Sequence, residues 1–271
     1  MTMQEDGGLD PQSYERIRKL VHERSGIALG PSKATLVSAR LGGRLRKLGL
    51  DGFKSYIRHL EADASGEELT ELLDAISTNV TSFFREPDHF EVTRKLVTRW
   101  RDAGQSRFRF WSAACSTGEE PYSLSMAVDD LVQNLDARIL ATDISTDALR
   151  RAMRGVYPER ALATVPGDLR ARHAKRRPGG DDFEVTASIK KRIVFRQLNL
   201  SKQPLPLHGP LDIIFCRNVM IYFEEPLRRA LVGEFHRLLK PGGLLLIGHS
   251  ESIVGDHPFK TLQPATYQKE G

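Results

Sequence analysis

Two stretches of the chain carry residue types that could do chemistry. One is Ala113-Ala-Cys-Ser-Thr-Gly118-Glu119-Glu120-Pro121-Tyr122-Ser123, where an apolar run stops at small residues, turns at a glycine and enters a helix opened by two acids and a proline. The other, about 20 residues further on, is Ile139-Leu-Ala-Thr-Asp143, an apolar run that ends in an aspartate. This is the plan of an α/β fold that holds a ribose-bearing ligand at its strand ends. The turn lacks the Gly-x-Gly-x-x-Gly spacing that lets a backbone approach a diphosphate. Glu119 and Glu120 would repel one and suit a cationic group instead. S-adenosylmethionine offers a sulfonium and an ammonium and no phosphate. Asp143 could then accept hydrogen bonds from two ribose hydroxyls. Two plainer roles stay open at this point. The acids could simply favour the positive end of a helix, and Asp143 could cap the helix that follows.

The elements that must position these residues alternate. From about residue 106, β-branched runs at Phe108–Cys115, Arg138–Asp143, Ile193–Leu200, Leu211–Cys216 and Gly243–His249 are separated by helical patterns. Such alternation predicts a mostly parallel sheet with helices on both faces. The stretch from about 156 to 192 is too long for a simple connection. It contains a basic helical piece from Leu169 to Arg177, a Pro178-Gly-Gly turn and an alternating Phe183-Glu-Val185, which read as a small inserted β-subdomain or as a basic loop.

Before residue 105 the periodicity is helical throughout. Asp10-Pro11 opens a helix that Gly26 closes, and Pro31-Ser32 opens another that Gly49 closes. Phe53, Tyr56, Ile57 and Leu60 mark a third, and Ser65-Gly-Glu-Glu68 has capping-box spacing before a fourth. These short amphipathic helices should pack into one all-α domain.

Composition bounds the rest. The 271 residues carry a net charge of +5, and the two cysteines make no disulfide framework. No apolar stretch approaches the ~20 residues a membrane helix needs. The polar start Gln4–Gly8 is unlike a signal peptide, so the expected location is cytoplasmic. No His/Cys spacing suits a metal. The basic balance favours an acidic partner without naming it. Lys33, Arg40, Arg44 and Lys47 form one stripe of the second helix, either a solvated face or a docking surface.

Five segments, taken in order, resemble the bacterial chemotaxis receptor glutamate methyltransferases (CheR). They are Thr78-Asn79-Val-Thr81-Ser-Phe-Phe-Arg85-Glu; Ala113–Ser123; Ala141-Thr-Asp-Ile; Phe215-Cys-Arg217-Asn218-Val-Met-Ile-Tyr222-Phe; and Gly242-Gly-Leu with Gly248-His-Ser-Glu251. The resemblance runs from about residue 12 to 268. It implies an all-α N-terminal domain, placed at 1–85, before a class I adenosylmethionine-dependent methyltransferase (Rossmann-like) domain at 86–271 with its β-subdomain at about 156–192. It implies methyl transfer to receptor glutamates, giving γ-methyl esters and S-adenosylhomocysteine.

By the same resemblance, Asn79, Thr81, Arg85, Glu120 and Asp143 would line the cofactor, with Glu119 adjacent. Asn199, Leu200, Arg217 and Asn218 would complete that lining, and Arg85 and Tyr222 would lie nearest the chemistry. The basic stripe would dock on receptor helices around the methylation sites. The β-subdomain could take up a receptor C-terminal peptide, although the turn around Arg176–Asp182 looks shorter than in members that need one. The expected protein is a monomer, without nucleic acid or membrane insertion. A nucleic-acid methyltransferase is disfavoured because Asn218-Val-Met-Ile-Tyr222 lacks the prolines of base methylases. A non-catalytic receptor-binding module should have lost the Arg85/Tyr222 pair, and both are present.

Overall fold

The computed structural model describes residues 8–76 and 80–271. Asp10 caps α1 (Pro11–Ser25), its carboxylate accepting from the Ser13 N–H at 3.0 Å. Gly26 closes that helix in the left-handed region, at φ 73°. A 3-10 turn (Pro31–Lys33) leads into α2 (Ala34–Leu48), and α3 (Phe53–Ala62) and α4 (Glu67–Ile76) follow. Tyr14, Ile17, Val21, Leu41, Tyr56 and Leu72 meet in one core, the packing that four amphipathic faces require.

The capping expected at Ser65–Glu68 is shared between two side chains. The Ser65 hydroxyl accepts from the Glu67 N–H (3.1 Å), and Asp63 accepts from the N–H groups of Ser65 (2.9 Å) and Glu68 (2.7 Å). The Glu68 side chain does not reach back, because Arg44 holds it in a bidentate pair.

The second unit begins with α5 (Asp88–Asp102) and continues β1 (Arg107–Ala113), α6 (Glu119–Val128), β2 (Asp136–Asp143) and α7 (Thr146–Arg154). The insertion follows, with β3 (Val156–Pro158), α8 (Gly167–His173), β4 (Ala174–Arg176), β5 (Asp182–Val185) and the short α9 (Ala187–Lys190). The chain then returns through β6 (Ile193–Gln197), β7 (Leu211–Cys216), α10 (Glu225–Leu238), β8 (Leu239–Ile247), β9 (Phe259–Gln263) and β10 (Thr266–Lys269).

Sheet order is β6-β2-β1-β7-β8-β10-β9. The first five strands are parallel and the last two add as an antiparallel hairpin. Strand β1 shows why the sheet is buried on both sides. Phe108 and Phe110 enter one core, while Trp111 and Ala113 enter the other. The chain steps outward from β1 through β2 to β6, then resumes at β7 on β1's opposite side. That switch point opens a crevice at the carboxyl ends of β1 and β7, where ligands of such sheets sit.

The inserted segment is a three-stranded antiparallel sheet in the order β3-β5-β4. The basic helix expected from Leu169 to Arg177 stops at His173, because Ala174–Arg176 pair with β5. Two other boundaries also differ. Strand β1 ends two residues before Cys115, as Ala114 (φ 60°) and Ser116 (φ 50°) turn left-handed. Strand β6 ends at Gln197 instead of Leu200, because Asn199 folds back to accept from the Ser201 N–H. Packing puts the division between units before Phe83 rather than after Arg85, since Phe83 and Phe84 belong to the core of the second unit. Among the described residues no helix is long and apolar enough to cross a membrane.

Candidate active site

A cavity of about 370 Å³ lies where the helical unit meets the carboxyl ends of the sheet. Its walls come from both units, with Ile27, Leu36 and Val37 facing Cys115, Asp143 and Leu200. The units are tied beside it. Asn199 donates to the Arg24 carbonyl (2.5 Å), Ala28 donates to the Tyr222 carbonyl (2.8 Å), and Ile27 bridges Phe223.

The turn between β1 and α6 forms the floor. Gly118 sits at φ 98°, and a Cβ there would meet Ala152 Cβ at 2.7 Å and the Tyr157 hydroxyl at 2.9 Å. Only glycine satisfies both the backbone angle and the space. The two acids that follow separate. Glu119 is buried, accepts from the Thr117 hydroxyl at 2.7 Å, and is absent from the cavity wall. Glu120 lines the cavity, accepting from the Ser112 hydroxyl at 2.7 Å and pairing with Arg217 Nη1 at 3.2 Å. Burial pushes its carboxyl above the usual range even though Arg217 pulls it down.

Asp143 also lines the cavity. Its Oδ2 accepts from the Ser116 N–H (2.8 Å) and its Oδ1 from the Ser145 N–H (2.9 Å). The N-cap of α7 is Ser145, whose hydroxyl accepts from the Ala148 N–H, so Asp143 is not occupied as a cap. Each carboxylate oxygen keeps a lone pair for a further donor.

Opposite, Arg217 is almost fully enclosed, with 2% of its side chain exposed. It donates to Glu86 Oε2 through Nε (3.2 Å) and Nη2 (2.9 Å), and to the carbonyl of Arg85. Its guanidinium also lies against the rings of Phe90 and Phe215. Burial works against ionised Glu86, yet Arg217 outweighs it and holds the carboxyl below its ordinary value. Asn218, at φ 57°, donates to Glu86 Oε1 at 3.3 Å. Glu86 is thus the hub that sets two cavity side chains. Glu86 is not among the site residues the resemblance implies, and its only signal in the sequence is an acid directly after Arg85.

Thr81, Arg85, Asn199, Leu200 and Tyr222 all reach the cavity wall. Arg85 donates to the Val80 carbonyl at 3.1 Å and keeps 38% of its side chain exposed, with Glu86 4.0 Å away. Its remaining N–H groups are available to an incoming anion. Asn79 lies outside the described residues.

The basic stripe divides. Lys33 and Arg40 line the cavity, and Arg40 also donates to the Ile76 carbonyl. Arg44 turns away to Glu68 and Glu71 on α4, and Lys47 is exposed. Both cysteine thiols are pushed up by burial, which suits apolar filling rather than nucleophilic use. Glu86, His89 and His249 bring potential ligand atoms within 4.8 Å of one another, but Glu86 is already neutralised by Arg217.

Residues 79–268 match the family described as CheR methyltransferase, SAM binding domain, and residues 12–77 match CheR methyltransferase, all-alpha domain. The chain belongs to the CheR methyltransferase family. It is 40% identical over 263 residues to the chemotaxis protein methyltransferase of Borreliella burgdorferi, spanning 94% of this chain and 93% of that protein. It is 38% identical to chemotaxis protein methyltransferase 2 of Pseudomonas aeruginosa, over 94% of this chain and 92% of that protein. The corresponding Escherichia coli protein is 36% identical, over 93% of this chain and 88% of its own length.

S-adenosylmethionine is therefore the cofactor of this CheR chain, and the cavity suits it. Its volume falls in the range of small-molecule sites, Glu120 and Asp143 offer carboxylates, and nothing in the turn is built to cradle a diphosphate.

Proposed function

We propose that the chain is a protein-glutamate O-methyltransferase acting on chemoreceptors, converting glutamate side chains on their cytoplasmic helices to γ-methyl esters. One observation carries the reading. Arg85 and Tyr222 share a cavity wall with the acids and amides suited to S-adenosylmethionine, and Lys33 and Arg40 lie on the same lining. When bound, S-adenosylmethionine supplies an electrophilic methyl group and leaves as the neutral thioether.

The protein's own part is to hold a carboxylate in line. A glutamate side chain is already an anion at neutral pH, so no general base is required. The Arg85 guanidinium can bind and orient it by charge-assisted hydrogen bonds, and the Tyr222 hydroxyl can donate one more. Holding reactants in an attack geometry can supply ~7–11 kcal/mol of the barrier. The apolar side of the cavity, with Ile27, Val37 and Leu200, would limit water around that arrangement. In this reading Thr81, Glu120, Asp143, Asn199, Leu200, Arg217 and Asn218 hold the cofactor, as does Asn79. Glu119 supports the turn from behind.

The outer edges of the inserted sheet, β3 and β4, are where a receptor C-terminal peptide would add a strand. Mapping the product tests the proposal. Incubation with a matched receptor cytoplasmic fragment should place methyl groups on glutamate side chains by mass spectrometry. Methylation of another residue type, or of nucleic acid, would overturn it.

A further inference from the structure

Tyr222 and Asn218 sit on a short loop that leaves β7 and has little regular structure of its own. Asn218 adopts a left-handed backbone, and a single 3-10 turn (Met220–Tyr222) follows. A non-glycine residue held at positive φ is strained and needs surrounding contacts to keep it there.

Those contacts converge on one carboxylate. Glu251 Oε2 accepts from the backbone N–H of Asn218 at 2.8 Å and of Gly248 at 2.6 Å, and its Oε1 accepts from the Ile221 N–H at 3.3 Å. The chain after β8 is folded for this purpose. Glu251 N–H donates to the Gly248 carbonyl at 2.9 Å, closing a turn that points the side chain back at the loop. Gly248 is required by the closeness of that approach, since a Cβ there would strike the Asn218 amide and come within 2.8 Å of Glu251 Oε2. On its other side the loop is held by the N-terminal unit, through Ala28 N–H to the Tyr222 carbonyl.

We propose that Glu251 is a positioning residue for methyl transfer, fixing the Asn218–Tyr222 backbone so that Asn218 and Tyr222 face the cavity. It acts only through the loop, being absent from the cavity wall. The inference rests on the functional reading above for what Tyr222 does, but its structural half stands apart from it. Both carboxylate oxygens are in use, and every partner is an N–H donor. The isosteric Glu251→Gln must therefore turn an NH₂ group toward at least one of those donors, so it loses either the Ile221 bond or the Asn218 and Gly248 pair.

The test uses the full-length protein. In Glu251→Gln, amide exchange across 217–222 or at Gly248, whichever bonds are lost, should speed up by about 10-fold or more, with exchange away from these two segments unchanged. Turnover on the receptor fragment should fall by about 10- to 100-fold, the scale of a small misplacement of reacting groups, while the KM for receptor changes little. In a Tyr222→Phe background the same change should cost less than it does alone, because the loop then has less to position. Glu251→Asp keeps the charge but falls short of the donors, so it should show smaller losses in both readouts. It serves as the main variant if the glutamine form does not fold. Wild-type exchange and turnover in both variants would overturn the proposal, as would full multiplicativity with Tyr222→Phe. A wild-type protein with no turnover would instead condemn the functional reading, leaving the exchange measurement to judge Glu251.

Discussion

At the scale of the residue, the proposed function assigns some cavity side chains to the cofactor and Arg85, with Tyr222, to the substrate carboxylate. We propose Arg85 as the aligning group, because its guanidinium is part-exposed at the cavity wall while Arg217 is sealed between two acids. Arg85→Ala should lower kcat by about 100-fold and change cofactor Kd by less than about 3-fold, read by turnover and calorimetry. Equal losses in both would make Arg85 a cofactor ligand only. Glu120 governs a pH dependence. Burial raises its pKa, and a cationic ligand favours its ionised form, so cofactor affinity should weaken as pH falls through that raised value. Glu120→Gln should bind more weakly at neutral pH and lose that slope. Stability without ligand runs the other way for the same group. A raised folded-state pKa means that ionising Glu120 costs stability as pH rises above the unfolded value. The pair Glu119-Glu120 marks the limit of reading residues from sequence. The neighbours differ by a third of a helical turn, and only the Thr117 hydroxyl shows which one is turned from the cavity.

Elements were legible where one face is strongly patterned. The Asp10 cap, the Gly26 and Gly49 stops and β7 all form where the residue pattern places them. Strand β9, the outer edge of the sheet, escaped because an edge strand has little to bury. Lys260 to Gln263 are exposed, so no apolar run announces them. Tertiary contacts also override local signals, as when Glu68 leaves its expected cap for Arg44. That pair joins α2 to α4 with 15% and 5% of the side chains exposed. Arg44→Ala should therefore destabilise the fold by about 3 kcal/mol in urea denaturation, because it strands a buried carboxylate. Lys47→Ala, on an exposed position of the same helix, should stay within about 0.5 kcal/mol. A loss at Arg44 no larger than that at Lys47 would mean that Arg44 belongs to the docking face after all.

The whole molecule places its cavity between two units, and this closure is what the sequence shows least. Asn199 bonding the Arg24 carbonyl joins residues 175 positions apart, beyond the reach of any periodicity. The architecture itself was legible, because alternating strands and helices after a helical segment leave few arrangements. The basic residues on the cavity lining then carry a prediction. Receptor KM should rise with salt, and Lys33→Glu should raise it several-fold at low ionic strength and flatten the salt response, with kcat nearly unchanged. A salt-independent KM would remove the electrostatic docking.

The central claim is that this cavity delivers a methyl group to a carboxylate. The most direct measurement follows the labelled methyl of S-adenosylmethionine onto a matched receptor fragment and then treats the product with mild base. The receptor should carry label that base releases as methanol. Cofactor binding with no receptor label, or label that resists base, would contradict it.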